Sequence, residues 1–410
     1  VLKTFATHRD ALNGKMQAQS YLLRHPDGIA AATRLLGLGT IAGSGPVRIA
    51  SSNIELVITR GQTAYSYNGT NLAAITMPDS FNVVSVAFMG GRLIFRRGGS
   101  HRFYFSEIKD GRTVGGLDYS SAETSPDHLL DTIAVGDNLF LLGEESLEVH
   151  YLTTNATLPY VRISQRTRNR GVIATGCAVE FDNALHFIGD DFVVYRMAEV
   201  PQRISNHGLE ERIAESTAWR LFTFLFQGHA FLCIRLDSGT WVFDPAGGAE
   251  WPEFRTYGFD NFLGQCAITD DQGPLFGSSV DGKLYRFGDT WTDDGAPLER
   301  RFTGAFPIKG GAVPVDALEL ECNAGATTAS TGPGANPQIE VRSSRDGGKT
   351  FGHYRVAALG AQGERRTRPR WRRWGYFDAP GCVFDFKMTD PAPLRVSAVL
   401  INEPANGRSR

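Results

Sequence analysis

One spacing constrains this chain more than any other feature. The segments "GGRLIF", "DNLFLL", "DNALHF", "GHAFLC" and "QGPLFG" each set a turn pair or a glycine ahead of an apolar strand. Their landmark residues Leu93, Leu139, Leu185, Phe231 and Leu275 are separated by 46, 46, 46 and 44 residues. A second apolar strand follows each across a short turn: "HRFYFSE", "LEVHYL", "FVVYRM", "GTWVFD" and "KLYRFG". The hairpin "IELVITRGQTAYSYNG" at 54–69 reads as a sixth, closer copy. Alternating strands with turn dipeptides at a period of about 40–50 residues are the pattern of propeller blades, since a blade buries its two apolar faces only by stacking on its neighbours. The spacing predicts a β-propeller of about six blades over residues 45–300, with residues 1–44 as an N-terminal arm and propeller-closing segment. A strand borrowed from that arm would change the blade count by one.

After residue 300 the rhythm changes. "VDALELECN", "PQIEVRSSRDGGKTF", "RRWGYFD", "CVFDFKMT" and "RVSAVLI" are strands of a different spacing, interrupted by the Gly/Ala/Thr/Pro stretch 323–337, which reads as a mobile loop. Residues 301–410 are therefore expected to form a β-sandwich-like domain, and the chain as a whole to be all-β. Helical patterning is confined to residues 8–20 and to "LEERIAESTAWRLF" from 209.

Charge narrows the function classes. The 410 residues carry 42 Lys+Arg against 44 Asp+Glu, so any nucleic-acid contact must be local rather than a general basic coating. No apolar run approaches the roughly 20 residues that span a bilayer. The start "VLKTFATHRD" lacks the apolar core of a signal peptide, so synthesis in a cytoplasm is expected. Cys177, Cys233, Cys266, Cys322 and Cys382 stand singly, without ligand-like spacing, and read as free thiols in a reducing compartment.

Catalytic constellations are not evident. "GLGTIAG" at 37 lacks the strand, helix and acidic residue of a dinucleotide site. "SRDGGKTF", Ser344 to Phe351, fits the Asp-box hairpin of sialidases, a structural turn remote from their catalysis. Carboxylate pairs at Glu144–Glu145, Asp190–Asp191 and Asp293–Asp294 lie in turn contexts, and histidines such as His101, His186 and His229 are isolated within strands. No enzyme activity and no cofactor or metal are expected. A carbohydrate-binding propeller, lectin or glycosidase-like, is the rival reading, motivated by the Asp box and the aromatics. The six tryptophans do not recur at equivalent blade positions, which counts against it. A monomeric scaffold for protein partners is a third reading.

From residue 20 to about 215 the chain resembles the packaged-DNA stabilisation, or tail hub and nozzle, proteins of short-tailed phages. The resemblance runs in order through "YLLRHPDGIA", "GSGPVRIA", "FMGGRLIF", "FYFSEIKDGRTVGGLDYSSAETSPDHL", "LFLLGEESLEVHYLTT", "RNRGVIATGCAV", "LHFIGDD" and "YRMAEVPQRISNHGLEERI". "RHPDGIA" carries an Asp beyond that family's usual Pro-Gly turn. The resemblance implies a non-catalytic virion protein of the phage tail: a homohexameric ring below the head–tail connector or adaptor that carries DNA outward during ejection. It also implies a tail needle, fibre or spike at the far end, and only transient contact with viral DNA. The neutral overall charge is compatible with this, because every phosphate contact on a channel wall adds affinity and slows release.

Thirteen residues are the candidate channel or subunit-interface set. "RRTRPRWRRW" places Arg365, Arg366, Arg368, Arg370, Arg372 and Arg373 in ten residues. Strand alternation sets Arg368, Arg370, Arg372 and Trp374 on one face, with Trp371 and Arg373 on the other. The favoured reading is a charged strand whose arginines pair with acids on the same or an adjacent subunit; a basic ring around the channel is the alternative. Arg162, Arg166, Arg168 and Arg170 lie in a loop between blades, and the acidic segment bearing Asp118, Glu123 and Asp127 is expected to meet that loop on the next protomer.

Overall fold

The computed structural model describes residues 15–20, 34–42, 47–122, 125–248, 250–281, 283–287 and 291–402, with 15–20 and 34–39 described by their backbone alone. The chain divides into two compact units, residues 1–255 with 259–287, and residues 256–258 with 288–410.

The first unit is a β-propeller of six sheets in chain order. Blade one comprises Val47–Ser51, Leu56–Arg60, Thr63–Tyr67 and Leu72–Ile75. Blade two comprises Val83–Met89, Arg92–Arg97, Arg102–Phe105 and Tyr119–Ser121. Blade three follows with Leu129–Val135, Asn138–Gly143, Leu147–Leu152 and Tyr160–Arg162. Blade four has Ala178–Phe181, Ala184–Ile188, Val194–Met197 and Pro201–Arg203. Trp219–Phe226, His229–Leu236, Thr240–Phe243 and Glu253–Phe254 make blade five. Blade six has three strands among the described residues, Gly264–Asp270, Gly273–Ser278 and Leu284–Arg286. Each sheet pairs its strands antiparallel in sequence order, as successive hairpins do.

The landmark residues all lie in the second strand of their blade. Leu93, Leu139 and Leu185 are buried there to 1% exposure or less, and apolar clusters fill the spaces between neighbouring blades. First strands contact one another in order from blade one to blade six, so they are the innermost.

Helical expectations fare differently. Helix His207–Glu215 forms between blades four and five, with Asn206 Oδ1 accepting from the Leu209 amide at its start (3.0 Å) and Leu209 and Ile213 buried. The continuation "TAWRLF" leaves the helix and enters strand Trp219–Phe226, where cross-strand pairing outweighs local propensity. Lys15–Ser20, expected to be helical, is a strand paired with Arg34–Thr40; residues 8–14 lie outside the described residues.

The second unit is a β-sandwich. One sheet is ordered Arg300–Pro307, Gly381–Met388, Gln338–Ser344, Arg355–Ala358; the other is Arg370–Phe377, Val313–Cys322, Val396–Ile401. Their shared core gathers Leu318, Leu320, Ile339, Val341, Phe384 and Phe386, all at 0% exposure. The segment 323–337, expected to be mobile, folds back on itself: buried Thr327 donates to the Gly334 carbonyl (2.6 Å), and the Gly325 amide reaches the Leu359 carbonyl (3.0 Å).

Candidate functional site

The strand that opened the arginine question departs from simple alternation. In Arg370–Phe377, Trp371, Trp374 and Phe377 are all buried, while Arg372 and Arg373 are both exposed. Register explains it. Val315 faces Gly375 and Ala317 faces Arg372, so three steps on one strand oppose two on the other. That is a β-bulge, and Arg373 adopts φ +64° within it. The bulge resets the phase, which corrects the expectation that Trp374 shares a face with Arg370 and Arg372. Indole packing drives the reset: Trp371 and Trp374 stand edge-on to Phe386 and Phe384, with centroids 6.0 and 5.0 Å apart.

Two further arginines, not singled out from the sequence, converge on this bulge. Arg355 Nη1 donates to the carbonyls of Arg372 (3.0 Å) and Arg373 (3.3 Å), and its guanidinium lies over the Trp374 ring at 4.2 Å. Arg345 Nη2 donates to the Trp374 carbonyl (2.9 Å) and Nη1 to that of Tyr376. The remainder of the arginine stretch divides. Arg368 Nη1 pairs with Glu319 Oε1 at 2.9 Å, and Arg370 Nε lies 3.7 Å from Glu319 Oε2. Arg365 and Arg366 are exposed ahead of the strand.

The propeller loop is spent within the chain. Arg166 Nη1 donates to Asn138 Oδ1 (3.0 Å), Nη2 donates to the Ala198 carbonyl, and the group covers Phe140. Arg168 donates to the carbonyls of Gln165 and Thr167 (2.8 Å each) and Glu199 (3.4 Å). Arg170 pairs with Asp191 and lies 3.6 Å from Asp190, over the Tyr195 ring. These three staple blade three to blade four. Arg162 lies 3.6 Å from the buried Glu148 carboxylate, which also holds His150 Nε2 at 2.8 Å.

The acidic counterparts are local as well. Asp127 accepts from the amides of Glu145 (2.9 Å) and Ser146 (3.0 Å), closing the hairpin turn of blade three. Asp118 accepts from the Gly115 amide at 3.1 Å. Glu123 lies outside the described residues. Neither described acid meets the 162–170 loop of its own chain.

A charge unflagged by the sequence reading lies at the propeller's inner strands. Asp131, 0% exposed on the first strand of blade three, accepts from Ser85 Oγ of blade two (2.7 Å), the Gly176 amide ahead of blade four (3.1 Å) and the Arg48 guanidinium of blade one. Arg96 is buried nearby, and burial pulls its pKa down to about 10 although Asp131 opposes that shift. The signal was available: one carboxylate inside the apolar run "LLDTIAV".

The motifs that suggested glycan chemistry are structural. Asp346 Oδ1 accepts from the amides of Lys349 (3.0 Å) and Thr350 (2.9 Å) and from Ser344 Oγ (2.6 Å), so the Asp box is a turn. The Ser344 hydroxyl bond, then that of Thr350, holds the Asp346 carboxyl well below the usual range. A cleft of about 420 Å³ beside the helix is lined by Asn206, Glu211, Arg212, Glu215, Trp241 and Trp251. Its tryptophans are 7% and 8% exposed, Trp251 stacks on Phe243, and Arg212 covers Trp241, which leaves no open sugar platform. No cluster of three metal-ligating side chains occurs among the described residues, and no described helix is long and apolar enough to cross a membrane.

Comparison with known proteins accounts for both units. Solved structures of low similarity include a computationally designed protein, Ika8 (11% identity, 66% of this chain and 79% of that one, TM-score 0.40), and BamB from Moraxella catarrhalis (11%, 65% and 87%, 0.38). An exo-β-1,3-galactanase from Phanerochaete chrysosporium is a third (9%, 88% and 97%, 0.36). No curated protein matches the chain in sequence. The bacteriophage P22 Gp10 β-propeller family matches residues 27–278, and the β-sandwich family of the same protein matches residues 300–402. Matched over both its domains in their order, the chain belongs to the bacteriophage P22 Gp10 family and is a structural component of a phage virion.

Proposed function

We propose that this protein is a subunit of the tail nozzle, or hub: a homohexameric ring below the head–tail connector that leaves a DNA exit channel between its copies and retains packaged DNA until ejection. The observation that carries the reading is the ordered pair of family matches, propeller then sandwich, over residues 27–278 and 300–402. The polar tie at Asp131 supports it. Blade one, blade two and the segment that leads into blade four are bonded to one carboxylate at the inner strands, which makes the propeller a stiff body suited to a ring wall. An adaptor above, and a needle, fibre or spike below, are the partners in this reading.

The test is reconstitution. Purified chain added to connector-bearing, tail-incomplete particles is expected to add a ring of density below the connector in electron micrographs and to slow DNA leakage. Particles that gain neither, while the chain remains folded and monomeric, would falsify the proposal.

A further inference from the structure

The sandwich carries a charged surface that its own fold leaves unanswered. Among the described residues Arg370–Phe377 is an edge strand, paired on one side only. At its bulge stand Arg372 and Arg373, exposed, with Arg345 and Arg355 bonded to the backbone of residues 372–376. Among the described residues no carboxylate pairs with any of these four. Elsewhere in the same unit arginines do find acids: Arg301 and Arg342 on Asp385, Arg368 on Glu319. Tyr376, whose carbonyl Arg345 holds, is 66% exposed on the same strand, and Arg and Tyr are both enriched in protein–protein interfaces.

The character of the edge restricts what binds there. Arg345 and Arg355 already occupy the carbonyls of residues 372, 373, 374 and 376, so an incoming strand would have to displace them. The contact is therefore one of side chains and charge. Complementary charge is present in the same molecule. Residues 288–410 carry 17 Lys+Arg against 14 Asp+Glu, and residues 1–287 carry 25 against 30, so a sandwich with a surplus of three positive charges is joined to a propeller segment with a surplus of five negative ones. Duplex DNA is the less suitable occupant. Each phosphate neutralised adds salt-sensitive affinity, and four arginines repeated around a conduit would retain what must be released.

We infer that the edge bearing Arg345, Arg355, Arg372 and Arg373 docks on a carboxylate-bearing surface of the propeller of a second copy of this chain. The inference rests on the ring assembly proposed above. Donor and acceptor surfaces are different patches of one chain, so the contact is heterologous, and repetition of such a contact closes a ring when the rotation closes.

The experiment compares wild type with R372E/R373E by size-exclusion chromatography with light scattering at low and high salt. Wild type is expected to form salt-sensitive rings, and the double variant to remain monomeric. Because the variant keeps its propeller surface, mixing it with wild type is expected to yield short open oligomers in place of rings. Arg373→Gly, which removes the charge and suits the backbone at that position, guards against misfolding as the cause; it is expected to raise the assembly midpoint on the order of threefold to tenfold. Rings that persist in R372E/R373E overturn the inference and leave the nozzle reading standing. If those persisting rings bind random-sequence duplex DNA more weakly than wild type, the edge is a nucleic-acid surface instead. A wild-type chain monomeric at every concentration overturns both proposals.

Discussion

Among the described residues the propeller and the sandwich each bury one aspartate completely, and they use it differently. Asp131 in the propeller draws bonds from Arg48 of blade one, Ser85 of blade two and the Gly176 amide on the segment that leads into blade four. Asp385 in the sandwich holds groups on and beside one sheet: Arg301 bidentately through Nε (2.6 Å) and Nη2 (2.8 Å), Arg342 through Nε (2.6 Å), and Tyr354, just ahead of strand Arg355–Ala358, at 3.2 Å. Propeller sheets are local hairpins, so their mutual placement is what needs a long-range tie. Sandwich strands are already non-local; Arg300–Pro307 pairs with Gly381–Met388 across most of the domain. There the aspartate sets register within the sheet. The same contrast holds for the arginines. The propeller loop spends Arg166, Arg168 and Arg170 on neighbouring turns, whereas the sandwich edge leaves Arg372 and Arg373 facing outward.

The largest expected effect tests the cross-blade tie. Asp131→Ala strands Arg48 and the 3% exposed Arg96 without their carboxylate, and should cost the propeller about 3–5 kcal/mol. Hydrogen-exchange mass spectrometry should locate the loss in blades one to four; equal loss in both units would break the comparison. Next comes a pH window. Burial drives the His186 pKa down to about 4, despite the Ala184 carbonyl, and the side chain is 1% exposed. A depressed pKa means the native state resists protonation, so stability is full above the unfolded value near 6.5 and declines as pH falls towards 4. The loss approaches about 3 kcal/mol, and His186→Phe should abolish it.

Asp385→Ala is expected to be milder, about 1–3 kcal/mol, because Arg301 and Arg342 are 45% and 25% exposed and can rehydrate. Burial raises its pKa, yet Arg301 and then Arg342 outweigh that and hold the carboxyl below the usual range. Its contribution is therefore present above about pH 4 and lost only below, so acidification should loosen the propeller before the sandwich. The smallest effect is a gain. Arg373→Gly relieves a non-glycine residue at φ +64° and should stabilise the sandwich by up to about 1 kcal/mol in denaturant melts, while weakening assembly.

What was legible from sequence follows the same division. Blade spacing was readable because each hairpin lies within a short window, and Leu93, Leu139 and Leu185 recur at one structural position. The phase of the arginine strand was not, because a bulge is a two-against-three register between segments 55 to 60 residues apart (Val315 with Gly375, Ala317 with Arg372), and no local pattern reports it. Arg345 and Arg355 were missed for the same reason. Each is unremarkable in its own segment and acquires a role only when its own sheet packs against the sheet that carries the bulge. Asp131 had a local signal, a charge in an apolar strand, but its partners are spread over three blades.

The most direct test of the account is native mass spectrometry of the purified wild-type chain near physiological salt. A dominant six-copy assembly that dissociates as salt rises is the predicted result. A monomer across the accessible concentration range, with both units folded, would contradict the claim that this protein is a ring-forming wall of the phage tail.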